Sequence, residues 1–197
     1  MPRKVTLPDP ADGDVRMRVD VCALCGSDKR LLASGSAVVP GHEIGGTLAD
    51  GTRGIVYIPV FCGTCIRCEA GRTNQCLNLS QLIGWQRDGG FAEHVDVPAR
   101  CVLPVPDDIE LSVAVLGLDM VGTAAHGLRL ALRTQDTVDR ILVVGAGPLG
   151  VGVVAVARAM GFEVDAYDPL ATRLAMAVQL GAAPAGDLSD VNRYDMV

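Results

Sequence analysis

Aromatic side chains are scarce in this chain, at 4% of its 197 residues. Any core must therefore be built from Val, Leu, Ala and Ile, which suits tightly packed strands and helices of small residues. Positive charge is also in deficit. The formal net charge is −6, so neither the basic footprint of a nucleic-acid binder nor a polybasic membrane patch is present. The opening residues, MPRKVTLPDPADGDV, hold no apolar segment of the kind that marks a secretory signal. The longest uncharged run, Ile141 to Ala157, falls short of the roughly 20 residues a spanning helix needs and is broken by Gly145, Gly147, Pro148 and Gly150. The chain reads as soluble. With 49% hydrophobic and 20% charged residues it can fill a core and lies outside the disordered class.

Cysteine, by contrast, is plentiful. There are seven, an odd number, and Cys62, Cys65, Cys68 and Cys76 fall together in CGTCIRCEAGRTNQC. Without a secretory signal this clustering reads as reduced thiols in the cytoplasm rather than as a disulfide framework. The spacing C-x2-C-x2-C-x7-C brings four thiolates close enough to surround one tetrahedral ion, with zinc–sulfur bonds of about 2.3 Å and no open position. An iron–sulfur cluster is the rival, because C-x2-C-x2-C also opens a ferredoxin pattern. That pattern closes after three residues and a proline. Here the gap is seven and Leu77 follows, which favours structural zinc.

The first half of the chain is β-rich. Val15 to Val21 alternates apolar and charged residues, and short apolar runs follow at Gly54 to Val60, Phe91 to Val97 and Cys101 to Val105. From Leu111 the character changes. Leu111 to Leu132 is helix-compatible, Arg140 to Val144 reads as a buried strand, and Pro148 to Met160 as a helix stopped by Gly161. Phe162 to Tyr167, Ala171 to Leu180 and Tyr194 onward continue as strand, helix and third strand, an alternation that implies a parallel sheet. The boundary between the two regions falls near residues 107 to 120.

Gly145-Ala146-Gly147-Pro148-Leu149-Gly150 is G-x-G-x-x-G between a strand and a helix, the context a dinucleotide fingerprint requires. Gly145 permits the turn, Gly147 lets a pyrophosphate approach, and Gly150 lets helix and strand pack closely. The second strand ends at Asp168. A carboxylate there can accept from both ribose hydroxyls and repels a 2′-phosphate, which favours NAD over NADP, although Arg173 is near in sequence. A second group of chemistry-bearing residues is dispersed: Cys25-Gly26-Ser27-Asp28 and Gly41-His42-Glu43. Singly, Cys25 is a core thiol and His42 a loop residue. Together they offer the sulfur and nitrogen donors of a catalytic metal site, which takes three protein ligands and keeps a fourth position open.

With these residues in view, the chain resembles the zinc-dependent medium-chain alcohol and polyol dehydrogenases. The matching pieces are CGSD, PGHE, the four-cysteine loop, DGGFAEHV followed by proline, LDMVGTAAHG and VVGAGPLG, in the family's order from about Val15 to Val197. The resemblance implies an α/β chain: a GroES-like β-barrel catalytic domain over 1–118, then the first half of a Rossmann NAD-binding domain over 119–197. It implies two zinc ions. Cys25, His42 and Asp119 would hold the catalytic one, with Glu43 a nearby carboxylate able to ligate, and the four-cysteine loop the structural one. Asp119 would otherwise be a helix-start acid favoured by the dipole. Ser27 would carry the substrate proton and Asp28 would hold His42 by its second ring nitrogen. Thr123 would lie with the glycine loop at the cofactor. His126 would be structural or near the cofactor, His94 a surface residue, and Cys22 and Cys101 core thiols. The activity implied is hydride transfer between an alcohol or polyol and NAD, by a homodimer or homotetramer when full length.

Three departures bear on this reading. Many members carry His two residues after the CGSD aspartate, where this chain has Arg30. The stretches Lys29 to Val39 and Gly46 to Val60 are shorter than usual, so substrate specificity does not transfer. The chain ends at Val197, at the start of the expected third strand, where family members continue. A non-catalytic, zinc-stabilised scaffold descended from the family is the alternative.

Overall fold

A computed structural model describes residues 4–134, 137–186 and 188–197. The chain divides into two units, Met1–Leu118 and Asp119–Val197. The first is built on a five-stranded antiparallel sheet of β1 (Asp14–Ala23), β2 (Glu43–Leu48), β3 (Arg53–Val56), β4 (His94–Pro98) and β5 (Val102–Pro104), in the order β4-β1-β2-β3-β5. Helix α1 (Asp28–Ser34) follows β1, and α2 (Ile66–Glu69) lies inside the cysteine-rich segment. Met17, Ile44, Val56, Val95 and Val97 form the core with the thiol of Cys101. The apolar members of the alternating strands point inward and the charged ones outward, as a half-solvated antiparallel sheet requires. Outside, Arg16 pairs with Asp96 and Arg18 with Asp20.

Strand β2 carries no periodic signal, and the sequence reading gave it no strand. Its sequence is EIGGTL, yet it lies at the centre of the sheet, between β1 and β3. The ladder with β1 shifts register between Val19 and Val21, and Gly45 and Gly46 face that irregularity. A Cβ on Gly46 would stand 2.1 Å from the carbonyl oxygen of Arg18. The glycine that erases the strand pattern is thus what allows β1 and β2 to approach.

The stretch Leu111–Ala131 is long and apolar enough to cross a membrane by length and composition. It is divided: α3 (Leu111–Ala114) leads into a 3-10 turn, Val115–Gly117, and α4 (Met120–Ala131) begins after Asp119. Leu111 and Val115 are buried, in a segment that packs on the first unit's strands.

The second unit holds a parallel sheet of β6 (Arg140–Val144), β7 (Glu163–Tyr167) and β8 (Ala183–Pro184), with α5 (Pro148–Ala159) and α6 (Ala171–Gln179) as crossovers. Ile141, Val143, Val151, Val154, Val164 and Ala177 fill its core. The third strand is therefore Ala183–Pro184, not the Tyr194 segment, which is a correction to the sequence reading. Two residues, one of them proline, give no periodicity to detect. The Tyr194 segment instead lies along the opposite edge of β6. There Met196 bridges Ile141 in parallel, and Asp195 accepts the backbone N–H groups of Asp139 and Arg140, both at 2.9 Å. Buried Asp165 anchors it further, accepting from Tyr194 at 2.7 Å and from Arg140 at 2.9 Å.

Because backbone rather than a movable side chain blocks the space at Gly46, Gly46→Ala should prevent native folding or lower the melting temperature by about 6–12 °C, from a cost of roughly 3 kcal/mol. Gly117→Ala, with open space around the added carbon, should leave the transition nearly unchanged. Equal melting temperatures for both variants in thermal unfolding by circular dichroism would contradict this account of β2.

Candidate active site

Two donor clusters lie in the first unit. In the first, β1 delivers the chain to Cys25, and α1 begins at Asp28. Asp28 is fully buried; one carboxylate oxygen accepts the backbone N–H of Cys25 at 2.9 Å, and the other stands 3.3 Å from Nδ1 of His42. Ser27 takes the helix N-cap position without using its hydroxyl as the cap. His42 is 2% exposed, and the buried Glu43 opens β2 opposite Ala23. Cys25, His42 and Glu43 each offer a ligand atom, and these atoms lie within 4.8 Å of one another. A sulfur, a nitrogen and an oxygen donor at that separation fit a borderline divalent cation such as zinc.

The turn that presents His42 is held by backbone. Gly41, at φ +97°, puts its carbonyl against the segment 84–91: the N–H of Gly90 donates to it at 2.8 Å, and that of Phe91 to Pro40 at 3.0 Å. A Cβ on Gly89 would fall 2.1 Å from the Gly41 oxygen. The DGGF motif, quoted in the sequence reading only as a family mark, is thus a clamp on the histidine turn. Sequence reasoning gave no role to Trp85, whose ring centroid lies 5.5 Å from that of His42. Cys22 also lies beside this corner. Burial, reinforced by Asp28, pushes its thiol up to about 12, so it packs as a neutral group.

The second cluster is the four-cysteine lobe. The sulfur of Cys65 lies 3.6 Å from that of Cys68, and the sulfur of Cys76 lies 3.5 Å from that of Cys62; all four fall within 4.8 Å of one another. Gly63 and Gly71, both at positive φ, make the turns between them. Four sulfurs with no other donor type can hold a tetrahedral soft or borderline ion. The thiols differ in acidity: the backbone N–H of Thr64 draws Cys62 down to about 5, that of Cys68 lowers Cys65, and desolvation pushes Cys68 up to about 12.

In the second unit Asp119 precedes α4, and Thr123 donates to its carboxylate at 3.2 Å. His126 and Thr123 are exposed on α4, and His94 is exposed on β4. The glycine loop runs from β6 into α5. Gly145 has φ +96°, Pro148 takes the first turn of the helix, and a Cβ on Gly150 would stand 1.8 Å from the Gly145 oxygen. Space around Gly147 is open, as an approaching phosphate needs, and Leu149 is exposed beside it. Asp168 is buried and already engaged. It accepts from Ala146 N–H at 2.9 Å and Leu170 N–H at 2.8 Å, with Arg173 at 4.0 Å. Each oxygen retains a second lone pair. The acid thus braces the glycine turn, a role the sequence reading did not give it.

Residues 11–107 match the alcohol dehydrogenase GroES-like domain. The chain is 34% identical to an L-galactonate-5-dehydrogenase of Escherichia coli (strain K12), a match covering 82% of this chain and 51% of that protein. It is 32% identical to an L-threonine 3-dehydrogenase of Mesorhizobium japonicum, covering 98% and 60% respectively. Among solved structures it resembles acetophenone reductase from Geotrichum candidum in complex with NAD, with TM-score 0.79, 28% identity, and 92% and 58% of the two chains covered. Residues 11–107 therefore belong to the alcohol dehydrogenase GroES-like domain family, and the chain resembles dehydrogenases over most of its length. It spans between about half and three fifths of the length of these relatives.

In chelator-treated, reduced protein at pH 7, Cys62 should be thiolate and Cys68 protonated. Limited iodoacetamide labelling should therefore modify Cys62 well before Cys68, as read by peptide mass mapping, and the Cys62 rate should fall only as pH drops through about 5. Uniform labelling of the four would contradict the assigned acidities.

Proposed function

We propose that this chain carries the catalytic domain and the first half of the cofactor domain of a cytoplasmic dehydrogenase that moves a hydride between a small alcohol or polyol and NAD. The observation that carries the reading is the convergence of Cys25, His42 and Glu43 within 4.8 Å, with buried Asp28 behind the imidazole. Cys25, His42 and Asp119 would hold the catalytic zinc, Glu43 standing by as a further carboxylate, and Cys62, Cys65, Cys68 and Cys76 the structural zinc. Asp119 directly follows the last residue of the first unit and opens the family motif D-x-x-x-T-x-x-H-G.

Zinc held there would supply Lewis acidity toward the alcohol oxygen, and bound NAD would supply the hydride acceptor. The remaining work falls to the chain. Asp28, with one oxygen 3.3 Å from Nδ1 of His42, would fix the tautomer that leaves Nε2 to ligate. The Ser27 hydroxyl takes the substrate proton and hands it to water, because Arg30, always protonated, cannot accept it. Gly145, Gly147, Pro148, Leu149 and Gly150 receive the pyrophosphate at the start of α5, and Thr123 borders the cofactor. The lone pairs left on Asp168 receive the ribose hydroxyls and favour NAD over NADP. The full-length protein assembles as a homodimer or homotetramer. The scaffold alternative is not favoured: the donor set is intact, and the curated relatives are named as dehydrogenases.

Zinc-reconstituted protein should bind two ions per chain by elemental analysis and form NADH with a secondary alcohol or polyol. Cys25→Ser should bind one ion, keep its melting temperature and lose turnover. Cys68→Ser should lose stability, because a closed site contributes folding free energy. One ion per chain in the unaltered protein, or equal loss of solubility in both variants, would overturn the division of roles.

A further inference from the structure

We infer that Trp85 is a positioning residue for the metal corner, the wall against which the His42 imidazole is set. The inference rests on the reading of Cys25, His42 and Asp119 as a catalytic metal site. Trp85 is the chain's only tryptophan and is half-buried; its ring lies 5.5 Å from that of His42, tilted by 41°. The Asp28 carboxylate lies 3.3 Å from Nδ1, and the indole adds an aromatic surface beside the ring itself.

The loop that carries Trp85 is itself over-determined. The Gln86 side chain accepts the backbone N–H of Leu82 at 2.9 Å. Arg87 donates to Asp14 at 2.7 Å and to the carbonyl of Asp96 at 2.8 Å. Asp88 accepts from the backbone N–H of Val39 at 2.8 Å, which ties the loop to the very turn that presents His42. The indole is therefore held at a set distance from the imidazole by contacts on both sides of it in sequence. Such bracing suits a group whose task is to hold a ligand rigid before the metal arrives.

The test uses cobalt(II) added to the full chain with its cysteine lobe already filled with zinc. Visible absorption reports binding, and Trp85 emission reports proximity. Emission should be quenched in step with the visible bands. Trp85→Ala should weaken cobalt affinity about 10–100-fold, the range for partners that orient a ligand. Trp85→Phe should restore it to within about threefold, and zinc retention in the cysteine lobe should be the same in all three proteins. Equal cobalt affinity in Trp85→Ala and the unaltered protein would overturn the inference while leaving the metal site standing. Absence of any visible band in the unaltered protein would instead remove the site itself, and the inference with it.

Discussion

One carboxylate without access to water organises the first unit's chemistry. Asp28 accepts the backbone N–H of Cys25 with one oxygen and faces the His42 imidazole with the other. Those two donors are 17 residues apart in sequence, on the segment after β1 and on the turn before β2. Burying an acid is unfavourable unless its oxygens find partners. Here one oxygen accepts from the segment that carries Cys25 and the other lies 3.3 Å from the imidazole on the turn that carries His42, so Asp28 sits between the two. The same economy recurs in the second unit, where buried Asp168 accepts from the glycine loop and from the start of α6.

Glycine supplies the complementary constraint. The histidine turn and the DGGF segment meet through backbone atoms: Gly84 and Gly89 approach the carbonyl of Gly41 so closely that side chains are excluded, and that carbonyl accepts the N–H of Gly90. Strand β2 enters the sheet by the same device at Gly46. A corner framed by backbone cannot relax as one framed by flexible side chains does, which suits a site whose ligands must be placed before the ion binds.

These constraints explain what was legible in the sequence and what was not. The four-cysteine loop and G-x-G-x-x-G were legible because their partners are near in sequence and their residue types serve few other purposes. The strands β1, β4 and β6 declared themselves by periodicity and β-branched content. Strand β2 did not, since its glycines serve close packing and mimic a turn. The two-residue β8 has too little length for any pattern, and without it the Tyr194 segment was taken for the third strand. Trp85 went unnoticed because its significance lies in a contact across 43 residues to His42. The sequence shows Asp168 as a ribose acceptor, whereas its hold on the Ala146 N–H is a contact across 22 residues that no local pattern marks.

The central claim is that Asp28 brings a sulfur, a nitrogen and an oxygen donor to one metal corner, distinct in chemistry from the all-sulfur lobe. Cadmium-113 NMR of the fully substituted protein tests it most directly, since the chemical shift moves upfield as sulfur donors are replaced by nitrogen and oxygen. The account predicts two resonances of equal intensity, one in the four-thiolate region and one well upfield of it, the second alone disappearing in His42→Ala. A single four-thiolate resonance at full cadmium loading would contradict it.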